Sequence, residues 1–445
     1  MSSANKEVNT HQIKTLGEAK ITSPVYHKRK DDAVYFIPAG DKGVILETDY
    51  NVLSDIVAKG KPPAFLEKAG PREKIFFDTS KLNCAIVTCG GLCPGLNAII
   101  RSVVLELHYN YEVRKIFGIR YGLQGFIPGY GHDFMELTPE AVTDIHAQGG
   151  SILGSSRGPQ DMDAIVDCLE VNNINVLFIV GGDGTLTAAH LIAAKVLERK
   201  LKISVVGIPK TIDNDIYMLD RSFGFDTAVE IASLAIQSAH NESKGYPNGI
   251  GLIKLMGRNS GFIAATATVA QQDVNFLLVP EIDFDMEGRN GLLEQLEQRL
   301  AARHHAVIVV AEGAGQKFFE PGGSIKDASG NVKLNDIGLL LRQEIEQYFK
   351  AKQIDINLKY IDPSYIIRSL APNANDRVFC NYLGRNAVHA AMTGRTDMVV
   401  GYSNGKFVHV PLEIVAGKRK RIDPHGELWR SALETTGQKN LKAQG

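Results

Sequence analysis

The sequence predicts an α/β fold built on parallel sheets, on three observations. Short apolar runs recur along the chain, and longer stretches with helical periodicity separate them. Several of these runs end in a glycine-rich or polar turn. At 445 residues, the chain is long enough for two or three domains. Because ligands bind at the carboxyl ends of parallel strands, we expect functional residues directly after the apolar runs.

The first predicted strand, residues 84–88, is a short apolar run before a glycine-rich turn. The run at 176–180 repeats the order of strand, glycine-rich turn and helix. Residues 1 to about 80 are polar and are expected to form an extension packed on the domain that follows. The other predicted strands are 203–208, 252–255, 276–279 and 306–310, and the predicted helices are 96–107, 227–240 and 291–303.

Composition excludes several classes of function. The 49 basic and 50 acidic residues almost cancel, so net charge does not favour nucleic acid or an anionic membrane as a partner. No apolar run approaches the roughly 20 residues of a membrane span, and the N-terminus lacks the apolar core of a signal peptide. With only five cysteines, an odd number, no disulfide framework is predicted, and we expect a cytoplasmic protein.

Three of the cysteines, Cys84, Cys89 and Cys93, lie close enough in sequence to raise the question of a metal site. Their spacing is not that of a zinc site, and no histidine is near them. The interpretation we favour is that they are small buried residues of a strand and its turn.

Two glycine-rich turns follow predicted strands, at 89–95 (CGGLCPG) and at 181–185 (GGDGT). Glycine lets backbone N–H groups approach a phosphate closely, and the following helix N-terminus adds a favourable dipole. Asp183 lies inside the second turn, where a carboxylate beside phosphates is explained by a Mg²⁺ ion. The alternative is that Asp183 only caps the next helix.

A third strand end carries residues 209–215 (PKTIDND), with one cation, one hydroxyl and two carboxylates. In an extended backbone, Asp213 and Asp215 would point to the same side. One could then accept a proton from an attacking hydroxyl while the other helps to hold Mg²⁺. The alternative is an Asp-rich turn with Asn214 at its tip.

Three isolated arginines, Arg157, Arg258 and Arg368, follow apolar or small residues. Such residues are often solvated, but arginine is also the best bidentate partner for a phosphate. The sequence contains neither a GxxxxGK[ST] loop nor the HRD and DFG motifs of protein kinases. The residues alone therefore predict a Mg²⁺-dependent phosphoryl-transfer site at strand ends.

Taken together, these motifs resemble the 6-phosphofructokinases, in order and spacing, over roughly residues 80–425. The set comprises 90–97 (GGLCPGLN), 181–185, 209–215, 256–258 (MGR) and 363–368 (PSYIIR). Residues 71–78 (PREKIFFD) are similar to the lead-in of the longer branch of that family, which contains pyrophosphate-dependent and plant-like ATP enzymes.

The resemblance implies two Rossmann-like parallel-sheet domains, an active site in the cleft between them, and an N-terminal extension at 1–80. The nucleotide and Mg²⁺ domain is then 81–225 with 372–425, and the fructose 6-phosphate domain is 226–371 with 426–445. Implied partners are ATP, fructose 6-phosphate and further copies of the chain, as a dimer or tetramer. An allosteric enzyme is also implied, although its effector sites cannot be mapped on this sequence.

The resemblance also implies a role for each matching residue, with Asp213 as the base that deprotonates the sugar 1-hydroxyl and Asp183 as the Mg²⁺ carboxylate. The implied catalytic residues are Lys210, Thr211, Asp213, Asp215 and Arg258. The implied ATP contacts are Gly91, Arg157, Gly158, Gly182, Asp183, Gly184 and Thr185. The implied fructose 6-phosphate contacts are Thr211, Ile212, Asp213, Met256, Gly257, Arg258, Glu312, Lys359, Tyr365, Ile366, Ile367 and Arg368.

The sequence departs from the short bacterial enzymes of the family at two positions. Tyr365 replaces their substrate-site histidine, a change shared with the longer branch. Gly249 stands where they have an arginine that reaches across from a neighbouring subunit, whereas Lys359 keeps a second such cation.

Two positions bear on the phosphoryl donor. Lys210 is typical of pyrophosphate users, and Gly184 is typical of ATP users because an Asp there would place a negative charge in the path of the nucleotide α-phosphate. We favour ATP, with pyrophosphate as the alternative.

Two other classes of protein share part of this pattern. NAD and diacylglycerol kinases share GGDGT but lack the paired aspartates of 209–215. A non-catalytic sugar-phosphate sensor would not need Asp213.

Overall fold

The computed structural model describes residues 11–32, 35–41, 43–319 and 333–443. The chain divides into two compact units. Unit 1 consists of Met1–Thr211, Ile216–Phe223 and Ala371–Arg419, as far as these residues are described. Unit 2 consists of Ile212–Asp215, Gly224–Leu370 and Lys420–Gly445, with the same restriction.

The described residues form the following strands and helices. The strands are β1 Lys14–Thr15, β2 Ile21–Thr22, β3 Val44–Ile45, β4 Phe65–Lys68, β5 Lys74–Ile75, β6 Asn83–Thr88, β7 Lys115–Ile119, β8 Met135–Glu136, β9 Val176–Gly181, β10 Ser204–Pro209, β11 Gly249–Leu255, β12 Phe276–Leu278, β13 His305–Ala311, β14 Asn357–Ile361, β15 Arg395–Thr396, β16 Met398–Ser403 and β17 Lys406–Pro411. The α-helices are α1 Pro24–Arg29, α2 Tyr50–Ala58, α3 Leu96–Leu105, α4 Met162–Val171, α5 Asp183–Glu198, α6 Phe225–Lys244, α7 Phe262–Gln271, α8 Leu292–Arg303, α9 Ile337–Ala351, α10 Ser364–Ser369, α11 Ala374–Met392, α12 Leu412–Val415 and α13 Glu427–Thr436.

Unit 1 is built on a nine-stranded sheet in the order β3-β4-β17-β16-β10-β9-β6-β7-β8. Its five inner strands, from β16 to β7, are parallel, and antiparallel strands lie at both edges. β6, β9 and β10 are almost continuously apolar and buried, as expected of strands covered on both faces. β6 pairs with β7 on one side and with β9 on the other, so the strand order reverses at β6. In such sheets, ligands bind at this topological switch point.

Unit 2 is built on a four-stranded, wholly parallel sheet in the order β12-β13-β11-β14. Apolar residues of these strands pack with α8 and α9 into a core of their own. Asp336 is the N-cap of α9, and its carboxylate accepts from the N–H groups of Gly338 and Leu339 in the first turn of the helix.

The fold class predicted from the sequence is confirmed: both units are α/β and rest on parallel strands. The predicted strands coincide with β6, β9, β10, β11, β12 and β13, and the predicted helices with α3, α6 and α8, within a few residues at each end. After Leu105 the predicted helix 96–107 continues as a π-helix, Glu106–Asn110. In the part of the chain that the structure describes, none of the helices is long and apolar enough to cross a membrane.

Candidate active site

Three of the predicted motifs lie side by side at one edge of the unit 1 sheet. They follow β6, β9 and β10, which are neighbours in the order β10-β9-β6. The N–H of Cys89 donates to the carbonyl of Val180 at 2.9 Å, and the N–H of Lys210 donates to the carbonyl of Gly181 at 3.0 Å. The three motifs therefore begin at the carboxyl ends of neighbouring strands of unit 1, where the sequence predicted them.

The Lys210 side chain ties two of these turns together. It is 6% exposed, and its ammonium donates to the carbonyl of Gly91 at 2.6 Å. The carbonyl of Lys210 in turn lies 3.2 Å from where a Cβ on Gly182 would stand, which shows how closely the two chain segments approach. The Lys210 cation is thus fixed at the turn after β6, while its backbone lies against the turn after β9.

The segment that carries Arg157 is bonded to the first glycine turn. The N–H of Gly90 donates to the carbonyl of Ser156 at 3.1 Å, and the hydroxyl of Ser155 donates to the carbonyl of Gly90 at 2.6 Å. Arg157 itself is exposed, and Gly158 has a φ of 95°, a conformation that glycine adopts readily. The structure therefore brings together Gly91, Arg157, Gly158 and Lys210 at one edge.

Asp183 is the first residue of α5, and the N-cap position is occupied by Gly182, which makes no side-chain cap. The alternative that Asp183 caps the helix is therefore wrong. Its carboxylate instead accepts from the N–H of Gly417 at 3.0 Å and from Nε of Arg419 at 3.2 Å. Gly184 is exposed, and a Cβ added there would meet no atom of the described residues within 4 Å.

The backbone of 213–215 corrects one expectation from the sequence. Asn214 has a φ of 52°, in the left-handed region, so the segment is a turn and not the extended strand that would point Asp213 and Asp215 to the same side. Within unit 2, the carbonyl of Asp213 accepts from the Ser260 hydroxyl at 3.3 Å. Asp215 is buried, and its carbonyl accepts from the N–H of Lys420 at 2.8 Å.

The cysteines of the first strand and turn are buried, as the preferred interpretation predicted. Cys84, Cys89 and Cys93 are reduced thiols, and burial raises the pKa of Cys89 to about 12. Among the described residues, no group of three or more His, Cys, Asp and Glu side chains is arranged to hold a metal ion.

In unit 2, the segment after β11 is held by the segment after the neighbouring β13. The N–H of Glu312 donates to the carbonyl of Leu255 at 2.9 Å, and the N–H of Gly313 donates to the carbonyl of Gly257 at 3.1 Å. A Cβ on Gly313 would lie only 1.9 Å from the carbonyl oxygen of Arg258, so glycine is required for this approach. Burial raises the pKa of Glu312, and the charges of Arg258 and Lys254 partly oppose this effect.

The motif 363–368 follows β14, on the other side of β11, and forms the short helix α10. Tyr365 is exposed, and the Arg368 guanidinium lies over its ring at 4.8 Å from the centroid. Ile366 is also exposed, whereas Ile367 is completely buried, so its side chain belongs to the core. Met256, Arg258, Glu312, Tyr365 and Arg368 thus follow three adjacent strands of one sheet.

Lys359 and Gly249 lie in strands of this sheet and not in the segments that follow them. Lys359 lies within β14 opposite Gly251, four residues before the end of β11, and its ammonium lies 5.6 Å from the centre of the exposed Tyr246 ring. A Cβ on Gly249 would lie 2.0 Å from the carbonyl oxygen of Ser243, so the arginine of the short bacterial enzymes does not fit here.

Sequence reasoning missed two cations, Lys254 and Arg419. Lys254 is the second-last residue of β11, and its ammonium contacts Asp336 at 2.7 Å and Asp362 at 2.9 Å. A signal for it was available, because a lysine in an otherwise apolar strand calls for a carboxylate partner. Arg419 lies in a basic run, 418–421, which looks like an ordinary solvated segment.

Glycine turns, carboxylates and cations at the strand ends of two α/β units define a phosphoryl-transfer enzyme. The model of the Phosphofructokinase family matches residues 83–391, and the chain belongs to this family.

Curated relatives and solved structures agree with this assignment. The chain is 52% identical over 379 residues to the ATP-dependent 6-phosphofructokinase of Borreliella burgdorferi, covering 84% of this chain and 85% of the relative. It is 45% identical over 435 residues to that of Amycolatopsis methanolica, covering 96% and 94% of the two chains. A pyrophosphate-dependent phosphofructokinase from Nitrosospira multiformis shares the fold, with a TM-score of 0.67 at 18% identity, over 81% of this chain and 93% of that one.

Proposed function

We propose that this protein is an ATP-dependent 6-phosphofructokinase, which transfers the γ-phosphoryl group of ATP to the 1-hydroxyl of fructose 6-phosphate. The observation that carries the proposal is the joint placement of the three motifs after β6, β9 and β10 at one sheet edge. The names of relatives at 45–52% identity supply the acceptor and the donor.

The donor is assigned to unit 1. Backbone N–H groups of the glycine turns at 90–91 and 182–185 suit phosphate oxygens, and the N-terminus of the 16-residue helix α5 adds a favourable dipole. Lys210 and Arg157 supply positive charge at the same edge. Catalysis of phosphoryl transfer is largely positioning and neutralisation of oxygen charge, which is what these groups offer.

The acceptor is assigned to unit 2. Arg258 and Arg368 are suited to bind the 6-phosphate, because a guanidinium matches phosphate oxygens with two parallel donors. Asp213 is the base that takes the proton from the 1-hydroxyl as that oxygen attacks the γ-phosphorus. Thr211, Met256, Gly257, Glu312 and Tyr365 complete the proposed substrate contacts.

The residues present fit Mg²⁺ as a cofactor that would be held by one carboxylate together with phosphate oxygens. Asp183 is the protein ligand, since Mg²⁺ in kinases is bound by one or two carboxylates plus substrate phosphates and needs no cage of side chains. When bound, the ion neutralises charge that develops on the transferring phosphoryl group. Asp183 is the first residue of α5, close to the N–H groups that are suited to the phosphates.

The choice of ATP over pyrophosphate rests on Gly184. Its Cα faces open space and is exposed, so the structure leaves room for a nucleotide beside the turn. Lys210 favours pyrophosphate as the second candidate, but its ammonium is already engaged with the carbonyl of Gly91.

A donor assay with a charged variant tests this choice. We expect phosphorylation of fructose 6-phosphate with Mg·ATP and none with pyrophosphate. In Gly184→Asp, repulsion between the new carboxylate and the donor should lower kcat/KM for ATP by roughly tenfold or more, since 1.4 kcal/mol already corresponds to tenfold.

Gly129→Asp is the matched control for that assay. Gly129 is also exposed, its added Cβ would have no atom within 4 Å in the part of the chain that the structure describes, and its φ is not positive. Turnover with pyrophosphate alone in the wild type would overturn ATP as the donor, and equal effects of the two variants would remove the role of Gly184.

We also propose a cytoplasmic homo-oligomer. The buried free cysteines are compatible with a reducing compartment, and exposed Lys359 is available to a neighbouring subunit.

A further inference from the structure

The contact between Asp183 and Arg419 has no role in the function proposed so far. Nε and Nη2 of Arg419 both lie 3.2 Å from Oδ2 of Asp183, while the N–H of Gly417 donates to Oδ1 at 3.0 Å. The two side chains are 30% and 20% exposed. A single ion pair that is partly open to solvent contributes little to stability, so stability alone does not account for it.

The contacts with Arg419 and Gly417 leave part of the Asp183 carboxylate available to accept a further ligand. An ionised carboxylate has about four acceptor positions, two on each oxygen. Arg419 contacts Oδ2 through a hydrogen bond from Nε and an ion-pair contact of Nη2, and the N–H of Gly417 takes one position on Oδ1. One position on Oδ1 therefore remains among these contacts, and the side chain that carries it is fixed from two directions.

Arg419 is itself fixed by the backbone at the third motif. It forms an antiparallel bridge with Ile216, the residue directly after 209–215. The chain before it forms α12, which packs on α5, the helix that Asp183 begins. Arg419 thus connects the turn after β9 to the end of the motif after β10.

We propose that Arg419 is a positioning residue, which holds Asp183 so that the Oδ1 atom can bind the divalent cation of the nucleotide complex. This inference rests on the proposed function, because it takes Asp183 as the Mg²⁺ carboxylate. Partners that orient a ligating carboxylate change metal affinity by about ten- to a hundredfold when they are lost.

Calorimetric titration of the full-length protein with ADP, with and without Mg²⁺, measures this directly and needs no turnover. In Arg419→Gln, we expect the gain in ADP affinity that Mg²⁺ brings to shrink by about ten- to a hundredfold, with affinity for ADP alone unchanged. Arg421→Gln is the matched control, since Arg421 is an exposed arginine of the same basic run.

Arg419→Lys keeps the charge but cannot offer two parallel donors, so it should lose part of the Mg²⁺ effect. If Arg419→Gln does not fold, the same titration of Arg419→Lys tests the proposal. A Mg²⁺ effect of wild-type size in Arg419→Lys and in any folded Arg419→Gln, or an increased one, would overturn the proposal.

Asp183→Asn separates this inference from the proposed function. If Asp183→Asn loses the Mg²⁺ effect while Arg419→Gln keeps it, only the role of Arg419 fails. If Asp183→Asn keeps the effect, the assignment of Asp183 fails, and the role of Arg419 fails with it.

Discussion

At the scale of single residues, Asn214 determines the path of the motif that carries Asp213. Its left-handed conformation, with a φ of 52°, turns the chain between the two aspartates. Asn tolerates this conformation better than most residues because its short side chain can bond locally. The Ser260 hydroxyl donates to the carbonyl of Asp213, so the residue proposed as the base is supported by a backbone contact within its own unit.

Asp213→Asn tests the assigned base with little change in volume. We expect kcat to fall by roughly 10²–10⁴, because the amide cannot accept the proton of the sugar hydroxyl. Affinity for fructose 6-phosphate, measured by calorimetry, should stay near the wild-type value. Asp355→Asn, at an exposed position of unit 2, is the control. Unchanged turnover in Asp213→Asn would show that another group takes the proton.

At the scale of elements, Lys254 connects β11 to two segments that follow other strands. Its ammonium contacts Asp336, the N-cap of α9, and Asp362, which precedes the motif 363–368. Burial would lower the pKa of Lys254, but its hydrogen bonds with the two carboxylates raise it overall. The Asp362 carboxylate also accepts from the N–H of Ser364 at 3.2 Å, so one cation anchors the start of α10.

Lys254→Met should loosen the start of α10 and leave two carboxylates without their cation. We expect KM for fructose 6-phosphate to rise several-fold with a smaller change in kcat, because Tyr365 and Arg368 lie on α10. Steady-state kinetics of this variant and of Lys350→Met, an exposed lysine at the end of α9, measure the difference. Equal KM values in the two variants would contradict the anchoring role.

Elements with long, regular patterns could be predicted from the sequence, whereas short strands and contacts between distant residues could not. β6, β9 and β10 are continuous apolar runs before glycine or polar turns, so their place and their ends were readable. β3 and β4 are two and four residues long and carry no such pattern, although they extend the unit 1 sheet. The contacts of Asp183 depend on a residue 236 positions away, which no local pattern reports.

At the scale of the whole molecule, the N-terminal segment contributes strands to unit 1. β4 pairs with β17 in a register that places Glu67 opposite His409. The imidazole of His409 is 1% exposed, and its Nδ1 lies 3.3 Å from the Glu67 carboxylate, which also contacts Arg395. Burial lowers the pKa of His409 to about 4, against the attraction of Glu67.

This buried histidine predicts a loss of stability in mild acid. The unfolded chain takes up a proton on His409 near pH 6.5, whereas the folded chain does so only near pH 4, so stability present above pH 6.5 is lost as the pH falls. The slope is up to about 1.4 kcal/mol per pH unit. Glu67, whose pKa is held well below its usual range by His409 and Arg395 despite burial, adds a loss of the same sign only below about pH 4.5.

Urea unfolding of His409→Gln between pH 7 and 5 isolates the histidine. The amide can still donate to Glu67 but does not titrate, so we expect a flatter dependence of the free energy of unfolding on pH than in the wild type. Part of the slope should remain, because burial lowers the pKa of His389 to about 3. His425→Gln, at an exposed position, should keep the wild-type slope. If His409→Gln keeps it as well, His409 takes up its proton over the same pH range in the folded and unfolded protein, and it does not account for the loss of stability in acid.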